Sequence, residues 1–306
     1  MNKKIMAVIN PVSAGGKTAE VWPEMSKHLK KEINDFTERY TKEPGDAIRI
    51  AKEAVESNYD YLIAVGGDGT VNEIINGMLM VKDQDIKTKL IIYAQGTGSD
   101  LSRTLKLPKR IKEFISLIKR ERMKTIKVVE AEFLNSKQEK EKRYFFNVAD
   151  CGMGAEVAKK LNENSKITSG SLNYILRIFQ VLFNYQNKKV KIEADNKLIY
   201  QGKINTAVIA HGNYFGGGIK VAPEAELFGD KLNLILLKDF SRLGIVLNLI
   251  KGYKGKHLSH PLVESYQAKK IKIMTKESVE LELDGELVGR CGATFKILDR
   301  KISVLV

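Results

Sequence analysis

Residues 61–65, YLIAV, form an unbroken apolar run that ends in Gly66-Gly67-Asp68-Gly69 and passes into a helical pattern. A strand with no polar face has nothing to offer water, so it belongs inside a parallel sheet covered on both sides. The surrounding chain fits that demand. Strand patterns at 5–10, 35–41, 61–65 and 89–94 alternate with helical patterns at 18–33, 45–57 and 110–120, Pro23 being tolerated near the start of the first. This alternation predicts right-handed βαβ units and an α/β N-terminal domain with a parallel sheet over residues 1–128. From residue 129 the texture changes to short alternating strands, RYFFNVA, KVKIEAD, KINTAVIA, KLNLILL, KKIKIMT and SVELELD, interrupted by helical stretches near 170–186 and 240–252. They predict a mostly antiparallel, β-sandwich-like C-terminal domain over 129–306, its last strand free to return to the first domain.

Composition narrows the function classes. Of 306 residues, 43% are hydrophobic and 29% charged, as in globular proteins. The two cysteines, Cys151 and Cys291, lack metal-ligand spacing and the four histidines are scattered, which argues against a disulfide framework and a zinc site. There is no apolar run of about 18 residues, and the first residues carry too short an apolar core for a signal peptide. A cytoplasmic protein is expected. The net charge of +14 suits an anionic surface. With no zinc-finger, helix-turn-helix or RNP-type signature, nucleic acid is not expected as the partner. Peripheral contact with an anionic membrane and a plain lysine-rich surface both stay open.

Three loops fall at carboxyl ends of strands, where open α/β sheets bind ligands. NPVSAGGKT (10–18) lacks the first glycine of a Walker A loop, Pro11 standing there, though its lysine and threonine could still touch phosphate. In the second loop Gly67-x-Gly69 is followed by Asn72 where a dinucleotide fingerprint needs its third glycine. Its Asp68 would repel bare phosphate, so a Mg²⁺–nucleotide fits better. The third loop, AQGTGSDL (94–101), repeats the design with Asp100 ahead of a helix.

GGDGTVNEIING followed by GTGSDLSRTL resembles the diacylglycerol kinase catalytic family, specifically the soluble bacterial lipid kinases. Across nearly the whole chain, INPVSAGGK, FFNVADCGMGAEV, GNYFGGGIKVAPEAEL and LELDGELVG resemble further motifs of that family in order. The resemblance implies an ATP-dependent kinase with its active site in an interdomain cleft and a membrane-lipid hydroxyl as acceptor. It implies that Gly66, Gly67, Asp68, Gly69, Thr70, Val71, Asn72 and Glu73 surround the phosphates. It likewise implies that Asn10, Thr41 and Thr97 contact the nucleotide. Asp68 would organise Mg²⁺, supported by Asp100, and Asp230 would mark a secondary metal site. Glu286 would be the catalytic base with Asp284 as its partner. Two plainer roles stand beside these: Glu73 as a first-turn helix acid, and Asp284-Gly285 as a hairpin turn.

Residues 170–191 read either as an interfacial membrane helix or as a core helix with Leu172, Ile175, Phe179 and Leu182 on its packed face; 240–256 is similar. Three positions depart from the family pattern: Lys127 replaces an aspartate, Gly229-Asp230 reverses a customary Asp-Gly pair, and Ser99 replaces an asparagine. The first raises an alternative, a nucleotide-binding membrane-surface regulator with weak or no kinase activity. An NAD kinase-like enzyme is the second alternative. A homodimer is also compatible with the sequence.

Overall fold

The computed structural model describes residues 3–81, 86–96, 98–163 and 171–306. The chain divides into two compact units, one of Met1–Val128 with Asp299–Val306 and the other of Val129–Leu298.

The first unit runs β1 (Lys4–Ile9), α1 (Lys17–Glu32), β2 (Asp35–Tyr40), α2 (Asp46–Glu56), β3 (Tyr61–Gly66), α3 (Asp68–Leu79), β4 (Lys89–Ala94), α4 (Asp100–Leu105) and α5 (Ile111–Arg120). Its strands pair in the order β2-β1-β3-β4, all parallel, and Val304 near the C-terminus pairs in parallel with Leu90 of β4. All six residues of β3 are buried, as its apolar sequence requires. α1 buries Trp22, Met25 and Leu29 on one stripe. Pro23 is the seventh residue of this helix and not a first-turn residue, so it removes one internal hydrogen bond.

β5 (Met123–Leu134) leads into the second unit, which continues through β6 (Lys140–Phe145), β7 (Val148–Gly152), α6 (Met153–Glu163), α7 (Ser171–Asn184), β8 (Lys188–Ala194), β9 (Lys197–Ala210), β10 (Leu232–Lys238), α8 (Arg242–Tyr253), β11 (Val263–Ala268), β12 (Lys270–Met274), β13 (Glu280–Leu283) and β14 (Glu286–Leu305). Pairing runs β7-β9-β8-β12-β14-β13 and back to β7, so the mostly antiparallel sheet folds round a core that includes Cys151, Leu281, Ile271 and Phe295. Both cysteines are free thiols. A second core, including Val157, Ile178, Leu182, Val208 and Ile245, packs α6, α7 and α8 on other residues of the sheet.

Two expectations need correction. RYFFNVA is not one strand: β6 stops at Phe145 and β7 starts at Val148, because the intervening amides bind a side chain far away in sequence. In α7 the buried face is Ile178, Val181 and Leu182, whereas Phe179 is 37% exposed. The side chains of Leu172 and Ile175 lie outside the described residues. Among the described residues no helix is long and apolar enough to cross a membrane.

Candidate functional site

The strand order places a reversal between β1 and β3, and open α/β sheets bind ligands at the carboxyl ends of strands beside such a reversal. Asn10 leaves β1 there. Its backbone N–H donates to Val65 O (2.9 Å) and its Nδ2 to Thr70 Oγ1 (2.9 Å), tying it to the glycine turn. Thr41 leaves β2 on the same edge, its N–H donating to Ile9 O at 2.9 Å. α3 starts directly after Gly67, and no side chain caps it. The first-turn amides of Asp68, Gly69 and Thr70 therefore have no side-chain cap, the arrangement in which helix N-termini can take an anion.

Several expected contacts have other occupations. Val71 is buried and its N–H donates to Gly67 O at 3.1 Å, so neither its side chain nor its amide serves a phosphate. Asn72 is buried and its Oδ1 accepts from Asn76 Nδ2 (3.0 Å). Glu73 accepts from Gly45 N (3.0 Å) and so holds the start of α2 against α3. Thr18 is fully buried against Ser13, so it is a staple of the first loop and no phosphate ligand. Thr97 lies outside the described residues.

Glycine at positions 66, 67 and 96 answers to packing as well as to ligand access. A Cβ on Gly66 would meet Thr70 Oγ1 at 2.6 Å, and one on Gly96 would meet Gly67 Cα at 2.4 Å. The second and third loops thus touch backbone to backbone. Asp68 joins them further: its Oδ2 accepts from Asp100 N (3.1 Å) and its Oδ1 from Leu101 N (3.3 Å). Burial pushes the Asp68 carboxyl up, and the amides of the 99–101 turn pull against that rise. Asp100 is buried, with Arg103 Nε at 3.7 Å.

Magnesium can be tested against these donors. Among the described residues no group of three His, Cys, Asp or Glu side chains is placed to hold a metal. Asp230 is half exposed and paired with Lys269 (2.9 Å), so an ion there would have to displace an ammonium. The donors do fit a magnesium held chiefly by substrate phosphates with one or two carboxylates, Asp68 and Asp100 being at the phosphate turn. Lys127, where an acid was expected, donates to Asp299 at 3.0 Å.

In the second unit Asp284 and Gly285 both have positive φ, 49° and 91°, and join β13 to β14 as a two-residue primed turn. The Asp284 carboxylate accepts from Phe146 N (3.1 Å), Asn147 N (3.0 Å) and Val148 N (3.0 Å), and its own N–H donates to Val148 O (2.8 Å). Three amides on one buried carboxylate make it an anchor of the hairpin, and Glu286 stands exposed at the start of β14. Glu282 is buried, accepts from Gly285 N (2.6 Å), and is pushed well up by burial and by Asp150 opposite it on β7.

Sequence reasoning missed Asp150. It ends the apolar stretch NVAD, its Oδ1 accepts from Ala155 N at the start of α6 (2.9 Å), and its Oδ2 from the Thr206 hydroxyl (2.5 Å). A Cβ on Gly154 would lie 2.8 Å from its carboxyl, so the GMG after this acid was the available signal. Burial raises Asp150 to about 6. It lies in the wall of a pocket that is otherwise mainly apolar, with Val157, Ile178, Phe215, Leu249 and Val263 among its lining.

Comparisons with known proteins agree with this architecture. Residues 4–131 match the model of the diacylglycerol kinase catalytic domain, and residues 147–306 match that of the YegS C-terminal NAD kinase beta sandwich-like domain. A diacylglycerol kinase of Staphylococcus epidermidis is 31% identical over 99% of this chain and 92% of its own length. That of Staphylococcus saprophyticus is 29% identical over 99% and 95%. A Bacillus anthracis crystal structure classed by name with the diacylglycerol kinases superposes with a TM-score of 0.78 at 28% identity, covering 99% of this chain and 97% of that one. An NAD kinase of Archaeoglobus fulgidus shares the fold alone, at 15% identity and a TM-score of 0.53. The ordered motifs, both domain matches and the full-length relatives together place the chain in the diacylglycerol kinase catalytic family, and it is a lipid kinase.

Proposed function

We propose that the chain holds the phosphates of Mg–ATP on its glycine turn and transfers the γ-phosphoryl group to a lipid hydroxyl, diacylglycerol or a related membrane lipid being the acceptor. The observation that carries this reading is the start of α3, an uncapped helix N-terminus beside the sheet's reversal point, with Asn10 and Thr70 hydrogen-bonded across it. Amides of Asp68, Gly69 and Thr70 orient the phosphates, and magnesium, when bound, neutralises their charge. Glu286 accepts the proton of the acceptor hydroxyl as its oxygen bonds to the γ-phosphorus and the bond to ADP breaks. A loose transition state asks only a modest base for that. Asp284 fixes the turn that presents Glu286. The apolar pocket takes lipid chain, with the buried Asp150 carboxyl in its wall.

The regulator reading drew on Lys127 as a base near the expected cleft where the family usually has an acid. Its ammonium pairs with the exposed Asp299 at 3.0 Å, and the full-length kinase relatives favour the active enzyme. Peripheral attachment to an anionic membrane belongs to the proposal, since the acceptor resides there. The test is γ-labelled ATP with a panel of diacylglycerol, sphingoid base, phosphatidylglycerol and polyprenol, products being separated by chromatography. Magnesium-dependent labelling of diacylglycerol is the expected result. Labelling confined to a lipid without a glycerol hydroxyl would overturn the assigned acceptor, and none at all would overturn the transfer.

A further inference from the structure

α8 is apolar on two opposite faces. Ile245, Leu249 and Gly252 line the pocket together with Asn248. Leu243, Leu247 and Ile250, spaced i, i+4 and i+7 on the other face, are 66%, 66% and 67% exposed. Single exposed apolar residues are ordinary, but three large ones in one helical stripe are not. A helix apolar all round is normally buried all round. In and just beyond the helix are four exposed cations, Arg242, Lys251, Lys254 and Lys256, and no Asp or Glu occurs between Asp239 and Glu264. Lys254 continues the same stripe one turn beyond Ile250. The helix start is fixed by Ser241, whose hydroxyl accepts from Gly244 N at 3.1 Å, so this face is held in one orientation.

We infer that the outer face of α8 is the surface that docks on an anionic phospholipid bilayer, burying Leu243, Leu247 and Ile250 among acyl chains while the four cations meet headgroup phosphates. The inference rests on the lipid-kinase reading and names the surface that reading lacks. Charge complementarity selects the occupant. An interfacial helix combines an apolar stripe with flanking Lys and Arg, which is the composition of this segment. A second copy of the chain fits poorly, because a two-fold contact would set these cations against their own counterparts with no acid among them. α8 is also one wall of the pocket, so docking would bring the lipid-binding wall to the bilayer that holds the lipid.

The test uses the full chain with vesicles of phosphatidylglycerol and phosphatidylcholine in equal parts, and with phosphatidylcholine alone. Wild type should sediment with the first and little with the second. Leu243→Ser/Leu247→Ser/Ile250→Ser should lose about tenfold or more in vesicle affinity. Its melting temperature should hold, because the three side chains are already exposed. Lys251→Glu/Lys254→Glu, with the apolar stripe intact, should lose binding to the anionic vesicles alone. Transfer to a short-chain, monomerically dispersed diacylglycerol should be unchanged in both variants. That last reading separates the two claims: if wild type also fails to phosphorylate the soluble acceptor, the kinase reading falls whatever the vesicles show. Equal vesicle binding by wild type and the triple serine variant would overturn the docking surface. So would a wild-type dimer that the serine variant dissolves while its vesicle binding persists.

Discussion

At Asp284 one carboxylate gathers three backbone N–H groups, from Phe146, Asn147 and Val148, which lie some 137 residues away in sequence. Asp284→Asn would keep one accepting oxygen and turn an NH₂ toward at least one of those donors. The expected cost is about 1–3 kcal/mol, read as a lowered melting temperature, together with a fall in kcat as Glu286 loses its support. An unchanged melting temperature would mean the carboxylate does not anchor the hairpin. Asp150 carries a pH dependence whose sign follows from its burial. Its folded value, about 6, lies above the ordinary 3.8, so the folded chain binds the extra proton between these values. Stability from this group is therefore full below pH 4 and falls by roughly 2–3 kcal/mol as pH rises through 6. Asp150→Asn should flatten that segment of the melting-temperature profile and be the more stable protein at pH 7. A profile as steep in the variant as in wild type would remove Asp150 from the account.

Among the elements, β3 and its turn were legible because one property decides them: an apolar run must be buried, and the glycines after it must end it. β14 was legible only in part. Cys291, Ala293, Phe295 and Ile297 alternate with more exposed neighbours as a half-buried strand requires, but the charged stretch Asp299–Lys301 hides that the same strand runs on to Leu305 and so belongs to both units. The break after Phe145 was also hidden, since nothing near it in sequence announces a distant acid taking its amides. The motif positions were readable, but their division of labour was not. Asp68 and Glu73 each bind a neighbouring turn or helix start, which only tertiary structure can show. Contact between the two glycine loops gives a prediction at this scale. Gly96→Ala places a methyl where Gly67 Cα stands 2.4 Å away, so the loops must separate. A loss of about 1–3 kcal/mol and weakened ATP binding are expected by thermal melting and calorimetry. Gly15→Ala, with no atom within 4 Å but φ at +69°, should cost only backbone strain and spare ATP binding. Equal ATP affinities for both variants would show that loop contact does not shape the phosphate site.

For the whole molecule, the proposed docking has the charge of +14 and the exposed apolar stripe of α8 acting on one bilayer at different ranges. Long-range attraction is screened by salt while buried leucine is not. Vesicle association by wild type should thus weaken steeply between low and physiological salt, then level off at the apolar contribution. The family was legible because its motifs recur in order along the full chain; the partner of Lys127 was not, because a charge in sequence does not disclose its neighbour. The central claim is that Glu286 takes the acceptor's proton while the first unit alone holds the nucleotide phosphates. Its most direct measurement is the rate of γ-label transfer to diacylglycerol at saturating Mg–ATP, wild type against Glu286→Gln, with ATP affinity measured on the same samples. The account predicts a loss of about 10²–10⁴-fold in transfer with ATP affinity within a few-fold of wild type. Transfer that survives Glu286→Gln undiminished would contradict it.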